Sequence, residues 1–386
     1  MNRIGIIAAG GESSRTGLGT YTTKAAFMLA GRSLLSYQID FLRSSGILRI
    51  YVVCQKKHAA LLEKRLSSSE RSMVTFVFSE KPSGWAGEVE RVLPQIARYA
   101  GTDDDVTIIS CDNYHAPGIS AEVLGLDRDA VFTYTEWKDS DHPPTSGLVL
   151  ARSATVWGTG KDVWIPRSGL GFTGAFFSGY VVVRGGVLTT ALRDVQPIDG
   201  KKEIVSLLSV LAQSPRCEAV PYPGDYVDVA NIQALAHLDA KLRGDGSLPI
   251  EKPGACVLVH NESGERVLLI KRADGRGWAP PGGIVEEGET YAKGAIREVL
   301  EEIGVMLDEQ NLRLLGVYPT VGKFGGAAVT VVWKACSREN TRFRLASREV
   351  HDIRWFDRAA AEKKAIPFRL GEAVRDYFEG RELDVR

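Results

Sequence analysis

The stretch from Gly283 to Val305 constrains this chain most, because it combines an apolar helical face with a crowded acidic face. Apolar residues recur at helical spacing, which predicts a helix that ends at Gly304 in a left-handed cap. The remaining surface carries Glu298, Glu301 and Glu302, three and four positions apart. Like charges at these spacings destabilise an isolated helix by about 0.2–0.5 kcal/mol per pair. Mg²⁺ would reverse this effect, because it prefers oxygen ligands and binds them together with substrate phosphates.

The order of the polar residues in this stretch is equally specific. The pattern runs Gly283, Glu289, Arg297-Glu298, Glu301-Glu302 and Gly304. It resembles the Nudix box, with every position filled. The resemblance implies an α/β/α-sandwich Nudix domain that uses Mg²⁺, or alternatively Mn²⁺, to hydrolyse a nucleoside diphosphate linked to a group X. Arg297 is expected to brace Glu289 or a neighbouring loop. A solvated acidic helix face is the alternative, and the fixed spacing argues against it.

The same resemblance implies roles for individual carboxylates. Glu298, Glu301 and Glu302 would be metal ligands, and Glu298 and Glu301 are the catalytic candidates, one of them doubling as the base. Glu349, six residues before Trp355, lies where some Nudix enzymes place a further metal ligand. A surface glutamate is the alternative interpretation of Glu349.

Length and composition favour two globular domains. The chain has 386 residues, more than a single hydrophobic core usually serves. Residues 243–253 are rich in glycine, proline and charge, and we predict a linker there between domains at 1–242 and 254–386. Lys plus Arg equals Asp plus Glu at 48 each, which argues against a nucleic-acid or membrane partner. Scattered cysteines and the lack of a leader or a long apolar run predict a cytoplasmic protein.

Strand and helix patterns alternate along the first domain. Apolar runs at 3–9, 50–53, 74–78 and 106–110 are separated by stretches with helical periodicity. This alternation predicts an α/β fold with a doubly wound, Rossmann-like sheet. A strand-rich region at 131–183 and helices at 203–211 and 232–242 are expected to complete the domain.

A glycine pair, Gly10-Gly11, follows the first predicted strand. Such a turn lets a phosphate approach backbone amides, although glycines there often have only a steric reason. Arg15 and Lys24 follow, and these cations could neutralise a triphosphate or a leaving pyrophosphate. Asp112 ends a buried strand, where an open sheet has its binding crevice. Together with the distant Asp228, it could hold Mg²⁺ between nucleotide and acceptor phosphates.

These residues carry a second resemblance, over about residues 3 to 242. The chain is similar to the nucleotidyltransferases that activate sugar phosphates and, more loosely, to the molybdenum-cofactor guanylyl- and cytidylyltransferases. The resemblance implies nucleotide binding by Ala8, Ala9, Gly10, Gly11, Arg15, Lys24, Gly84 and Asp112. It makes Arg15 and Lys24 catalytic candidates, and Asp112 and Asp228 metal ligands.

The acceptor end of this second pattern departs from the family. Ser13 replaces the third glycine of the loop, as in the cofactor branch. The relatives hold the sugar phosphate with the lysine of a Glu-Lys-Pro triplet between the two metal aspartates. Here the triplet occurs at 80–82 and 251–253, and neither copy lies between those aspartates. Lys161 or Arg167 is the substitute that we consider.

The two resemblances together predict a bifunctional enzyme with small-molecule partners only. One domain would transfer a nucleotidyl group from an NTP to a phosphorylated small molecule, and the other would hydrolyse an NDP-X compound. Two alternatives stay open. The first domain could be a non-catalytic nucleotide-binding module, or the Nudix domain could be a ligand sensor that regulates the transferase. The base, the acceptor, the group X and the oligomeric state also stay open.

Overall fold

The structure is a computed structural model that describes residues 3–97, 101, 103–116, 127–135, 149–151, 162–164, 174–222, 224–245, 248–322, 324–345 and 348–384. Lys161 and Arg167, considered above as acceptor-binding residues, lie outside these residues. The chain divides into two compact units. The first comprises Met1–Glu12, Thr23–Ala26 and Arg32–Asp228, and the second comprises Ser13–Thr22, Phe27–Gly31 and Val229–Arg386.

A nine-stranded sheet forms the centre of the first unit. Four neighbouring strands of this sheet run parallel and are, in spatial order, Asp105–Ser110, Arg3–Ala8, Arg49–Gln55 and Val74–Ser79. Gly174–Arg184 continues the sheet in antiparallel orientation beside Asp105–Ser110. The other strands of the sheet are Ala130–Thr135, Val149–Ala151, Asp162–Trp164 and Cys217–Pro221. The four parallel strands are those that the apolar runs predict, because strands buried on both faces consist of nearly continuous apolar residues.

Helices pack on this sheet and complete its core. Those in the described residues of the first unit are Leu34–Ser44, Ala59–Arg65, Ser68–Met73, Trp85–Ile96, Gly185–Asp194 and Ile204–Leu211. Trp85–Ile96 packs on the strands Arg3–Ala8 and Arg49–Gln55. Its buried Val89 and Val92 join a core that includes Ile6 and Phe132. Burying an apolar side chain of this size contributes about 1.5–3 kcal/mol.

The second unit contains a seven-stranded sheet. The predicted hairpin is present, with Gly254–His260 antiparallel to Arg266–Arg272. Gly254–His260 also pairs in parallel with Ala327–Cys336, which in turn pairs with Arg313–Val321. The remaining strands of this sheet are Trp278–Ala279, Gly282–Ile284 and Val350–Asp357.

The acidic helix spans Tyr291–Ile303 and packs on Gly254–His260. It begins at Thr290, whose hydroxyl accepts a hydrogen bond from the amide of Lys293, and it ends at Gly304 with φ 71°. The other helices in the described residues of this unit are Ile232–Arg243, Arg358–Glu362 and Leu370–Phe378. Among the helices that the structure describes, none has the length and apolar character needed to cross a membrane.

The helix Ile232–Arg243 packs on strands of the second unit, although we assigned it to the first domain from the sequence. Its carboxylate Asp239 is one reason, since it accepts hydrogen bonds from the Ala30 amide, Arg243 and Arg369 at 2.7, 2.8 and 2.8 Å. The second unit therefore includes residues on both sides of the predicted linker 243–253. A separable domain boundary at that linker stays a prediction.

We expect Asp239→Ala to destabilise the second unit by about 3 kcal/mol, because it removes a buried acceptor that two arginines and the Ala30 amide share. The Asp239 side chain is only 2% exposed, so water cannot readily replace it. Denaturant unfolding of the full chain measures the effect. Asp352→Ala removes an exposed ion pair with Arg354 and should cost less than about 1 kcal/mol. Equal costs for the two variants would contradict the structural role of Asp239.

Candidate active sites

Of the predicted nucleotide-binding residues 8–11, Ala8 ends the first strand and the other three follow it in the turn. The Ala9 amide donates to a carbonyl of the neighbouring strand at 2.8 Å. The Gly10 amide donates to Glu88 Oε2 at 3.1 Å. These two amides are therefore engaged inside the protein and are not open to phosphate oxygens. Gly11 is exposed, and no described atom lies within 4 Å of the position that a Cβ would take there. The turn is thus open to a ligand at Gly11.

Lys24 and Asp112 are distant in sequence and adjacent in the structure. Lys24 Nζ lies 2.7 Å from Asp112 Oδ2. The other carboxylate oxygen, Oδ1, accepts a hydrogen bond from the hydroxyl of Ser110. Lys24 is only 6% exposed, and an ammonium group at that depth requires an anionic partner. Two predicted functional residues therefore meet where the parallel strand Asp105–Ser110 ends.

Asp228 lies on the strand next to the one that follows Asp112. The strand Asp225–Asp228 pairs antiparallel with Asn113–Ala116, and Asp228 is opposite Asn113. Asn113 is held by Tyr226, whose hydroxyl donates to Asn113 Oδ1 at 3.3 Å. The two predicted metal aspartates are thus connected by one strand pair. Their role as metal ligands stays a prediction.

Gly84 has a structural reason to be glycine. Its φ is 77°, and a Cβ at this position would lie 2.5 Å from the carbonyl oxygen of Lys202. The same oxygen accepts the amide hydrogens of Ala86 and Gly87 at the start of the helix Trp85–Ile96. Close approach of the two backbones explains this glycine without a ligand. Its contact with a nucleotide stays a prediction.

Arg15 belongs to the second unit, where it lines a cavity of about 640 Å³. Lys252 of the second Glu-Lys-Pro triplet lines the same cavity, together with Glu286 and Tyr291. Arg15 thus shares this cavity with the lysine of a triplet that does not lie where the family places it. The contact of Arg15 with a nucleotide stays a prediction.

Arg297 connects the acidic residues of the helix Tyr291–Ile303. Its guanidinium donates to Glu289 at 2.9 and 3.1 Å, which is the bracing that we expected. It also donates to Glu298 at 2.8 Å and to Glu301 at 3.3 Å. The hydrogen bond from Arg297 lowers the pKa of Glu289, so this carboxylate stays charged. One arginine thus offsets the repulsion between carboxylates that the sequence spacing creates.

Two of the predicted metal ligands pack against a pair of glycines. A Cβ at Gly283 would lie 2.4 Å from Glu298 Oε1, so only glycine leaves room for this carboxylate. Glu302 is 4% exposed, and its Oε2 accepts the amide hydrogen of Gly282 at 2.8 Å. Burial raises the pKa of Glu302 to about 8. Burial also raises the pKa of Glu298, against the opposing hydrogen bond from Arg297.

The other two predicted ligands differ in their surroundings. The Glu301 side chain is 55% exposed and contacts Arg297. Glu349 precedes the strand Val350–Asp357, and its carbonyl oxygen accepts the amide hydrogen of Ala273 at 2.8 Å. Its negative charge adds to burial in raising the pKa of Glu298 and Glu302. This electrostatic effect is consistent with the position expected of a further ligand.

Both candidate sites supply carboxylate oxygens, the ligands that Mg²⁺ prefers, so their chemistry fits this ion. As the side chains lie, no three His, Cys, Asp or Glu residues of the described chain are gathered closely enough to hold a metal. A cation of the protein instead contacts the carboxylates, Lys24 at Asp112 and Arg297 between Glu298 and Glu301. A metal ion at either site would therefore share these carboxylates with a cation of the protein.

Two residues at the nucleotide turn were missed by the sequence analysis. Glu88 bonds the Gly10 amide, and the side-chain amide of Gln55 donates to the Gly10 carbonyl at 2.9 Å. The available signal was a glutamate at helical spacing with the apolar Val89 and Val92. A glutamate at such a position usually lies at the edge of the buried face of a helix. Its contact with Gly10 could not be predicted from the spacing alone.

Family models match two separate parts of the chain. Residues 5–156 match the MobA-like NTP transferase domain, and residues 251–377 match the NUDIX domain. The chain joins a MobA-like NTP transferase domain to a Nudix domain. Both domains belong to families of enzymes, so the prediction of an enzyme is confirmed at the level of its domains.

Similar curated proteins match shorter stretches. The NAD-capped RNA hydrolase NudC of Pasteurella multocida is 32% identical over 108 residues, which are 26% of this chain and 37% of that protein. A putative 8-oxo-dGTP diphosphatase of Bacillus subtilis is 51% identical over 51 residues, 13% of this chain and 34% of that protein. A MutT-like protein of Streptomyces ambofaciens is 40% identical over 72 residues, which are 19% of this chain and 45% of that protein. The chain therefore spans less than half the length of these relatives.

Solved structures support the fold of the transferase part. A putative glucose-1-phosphate thymidylyltransferase from Bacillus anthracis has a TM-score of 0.50 at 17% identity and covers 62% of this chain and 95% of its own. A UDP-glucose pyrophosphorylase has a TM-score of 0.50 at 14% identity, and the match covers 64% of this chain and 100% of that protein. At these identities the likeness concerns the fold alone. The predicted combination of a Rossmann-like nucleotidyltransferase fold with a Nudix domain is confirmed.

The buried Glu302 predicts a pH-dependent stability of the Nudix unit. The folded chain holds this proton up to about pH 8, whereas an ordinary glutamate releases it near 4.5. Stability should therefore fall as pH rises between these values, with a slope of up to about 1.4 kcal/mol per pH unit. Denaturant unfolding in EDTA at pH 5 to 8 measures the slope. Glu302→Gln should reduce the slope of stability against pH, and the control Glu301→Gln should leave it unchanged. An unchanged slope in Glu302→Gln would show that the Glu302 carboxyl titrates normally.

Proposed function

We propose that the protein is a bifunctional enzyme. Its transferase domain moves a nucleotidyl group from an NTP to a phosphorylated small molecule, such as a sugar or polyol phosphate, and releases pyrophosphate. Its Nudix domain hydrolyses a nucleoside diphosphate linked to a group X that differs from, or follows, the transferase product. The observation that carries this proposal is the contact between functional side chains in each unit: Lys24 with Asp112, and Arg297 with the box glutamates.

In the transferase reaction, an oxygen of the acceptor phosphate attacks the α-phosphorus of the NTP. A new P–O bond forms as the bond to the pyrophosphate leaving group breaks, so no side chain needs to act as nucleophile. Lys24 is placed to stabilise the negative charge on the phosphates. Asp112 and Asp228 would hold Mg²⁺, which neutralises charge and orients the nucleotide when bound. Arg15 is proposed to contact the phosphates, as the family resemblance implies.

In the Nudix reaction, the oxygen of a water molecule attacks a phosphorus of the diphosphate. The bond between the two phosphates breaks, and each product keeps one of them. Glu298 or Glu301 takes the proton of the attacking water, while Arg297 holds both carboxylates in place. Glu298, Glu301, Glu302 and Glu349 would hold Mg²⁺, or alternatively Mn²⁺, which lowers the pKa of water and stabilises phosphate charge when bound.

One observation favours the alternative of a non-catalytic first domain. The Gly10 amide is bonded to Glu88, so it already has a partner inside the protein. A module that binds nucleotide without chemistry would not need that amide. The hydrolase and diphosphatase names of the curated relatives support catalysis by the Nudix domain rather than a sensor role. We further propose a cytoplasmic protein whose partners are small molecules, without a nucleic-acid or membrane partner.

Asp112→Asn should lower transferase activity by at least about 100-fold, because it removes the charge that pairs with Lys24 and would bind the metal. Pyrophosphate release is followed with ATP, GTP, CTP or UTP, Mg²⁺ and a series of sugar and polyol phosphates. Asp40→Asn is the control, since Asp40 pairs with the partly exposed Arg32 on the same unit. If the wild-type protein releases no pyrophosphate with any pair, the first domain is not a transferase for this substrate class.

Glu302→Gln should lower hydrolysis of NDP-sugars, ADP-ribose and dinucleotides by at least about 100-fold, because it removes one negative metal ligand. The matched control is Glu309→Gln, which changes an exposed glutamate of the same unit. EDTA should abolish hydrolysis in the wild-type protein and in the control. A full rate in Glu302→Gln would contradict the assignment of this residue to the metal.

A further inference from the structure

Glu88 has no part in the mechanism proposed above, yet it lies directly on the nucleotide turn. It belongs to the first turn of the helix Trp85–Ile96 and is only 3% exposed. Its Oε2 accepts the Gly10 amide hydrogen at 3.1 Å, across 78 positions of sequence. Its Oε1 would lie 2.3 Å from a Cβ at Gly10, so the carboxyl packs on the glycine backbone itself. A side chain at position 10 would therefore displace the Glu88 carboxyl.

Gln55 holds the same glycine from the other side. It is the last residue of the strand Arg49–Gln55, and its buried side-chain amide donates to the Gly10 carbonyl at 2.9 Å. Side chains from a helix and a strand thus satisfy both polar groups of Gly10. Because buried peptide groups strongly favour a conformation in which they are bonded, the orientation of this residue is fixed. Gly11, the open position of the turn, follows it directly.

We propose that Glu88 and Gln55 are positioning residues that set the nucleotide affinity of the transferase domain by holding Gly10 between them. This inference rests on the proposed transferase function, because it assumes that the turn binds an NTP. The two side chains do not contact the nucleotide. They present Gly11 in one orientation before the ligand arrives, which reduces the ordering that binding would otherwise require.

A neutral carboxyl suits this role better than a charged one, because the turn is expected to bind a polyanion. Burial raises the pKa of Glu88 to about 8, against the opposing hydrogen bond from Gly10. The charges of Glu203 and Asp112 add to the increase, and Arg91 opposes it. Within the described residues, no lysine or arginine forms an ion pair with Glu88. Glu88 can therefore hold Gly10 without repelling phosphates at neutral pH.

Amide hydrogen exchange at Gly10 and Gly11 tests whether Glu88 and Gln55 hold this turn, and it does not depend on transferase activity. Glu88→Gln keeps an acceptor oxygen of the same reach, Glu88→Ala removes it, and Gln55→Met removes the second contact while keeping the volume. Glu90→Gln is the control, since Glu90 lies on the same helix and pairs with Lys202 at 2.8 Å. Exchange of peptides containing Gly10 and Gly11 should accelerate at least about 10-fold in Glu88→Ala and Gln55→Met, and stay unchanged in Glu88→Gln and Glu90→Gln. Unchanged exchange in both loss variants would overturn the inference.

Nucleotide binding then separates positioning from a purely structural role. Calorimetric titration with ATP, GTP, CTP and UTP in Mg²⁺ should show a Kd at least about 10-fold higher in Glu88→Ala and near the wild-type value in Glu88→Gln. Above pH 8 the wild-type Kd should rise as Glu88 ionises, while the Kd of Glu88→Gln stays constant. A Kd that Glu88→Ala leaves unchanged would overturn the inference. Failure of the wild-type protein to bind any NTP would instead overturn the transferase proposal. The exchange result would still decide whether Glu88 and Gln55 hold Gly10.

Discussion

A buried carboxyl hydrogen-bonded to a glycine amide occurs at the candidate site of each unit. In the transferase domain Glu88 bonds Gly10, and in the Nudix domain Glu302 bonds Gly282. Burial raises the pKa of each carboxyl to about 8. Because a buried acid must find donors or become neutral, each one fixes the backbone turn that supplies its donor. At each candidate site, the hydrogen bond from the glycine amide offsets part of the free-energy cost of burying the acid. The same bond holds the glycine turn in position.

Other carboxylates at the two candidate sites contact a cation of the protein. Arg297 contacts Glu289, Glu298 and Glu301, and Lys24 forms an ion pair with Asp112. A guanidinium can bond several carboxylates because its donors form a planar fork, whereas an ammonium acts as a point charge. The Nudix helix therefore keeps a shared partner for its acids. The candidate site of the first unit has instead a direct contact between an ammonium and a carboxylate, which a small displacement of Lys24 would break.

The sequence predicts the elements and the Nudix helix well, because periodicity and spacing are local properties. Gly304 ends that helix in a left-handed cap as expected, and the parallel strands of the first sheet follow the apolar runs. The contacts of Glu88 and Gln55 with Gly10 could not be predicted, since they join residues 78 and 45 positions apart. The sequence pattern assigned the helix Ile232–Arg243 to the first domain, whereas the helix packs on later strands of the second unit, a tertiary contact that the pattern does not encode.

Those contacts have a practical consequence for dividing the molecule into separate proteins. A fragment that starts at residue 254 loses the helix that covers the strands Ala327–Cys336 and Arg313–Val321, and with it the carboxylate partner of Arg369. Starting at Val229 restores that helix but still omits Tyr21, whose ring packs on Trp333 with centroids 4.8 Å apart. No single cut in the chain yields the second unit intact. A soluble Nudix fragment will therefore need either a replacement for these apolar contacts or a permuted chain that carries residues 13–31 with it.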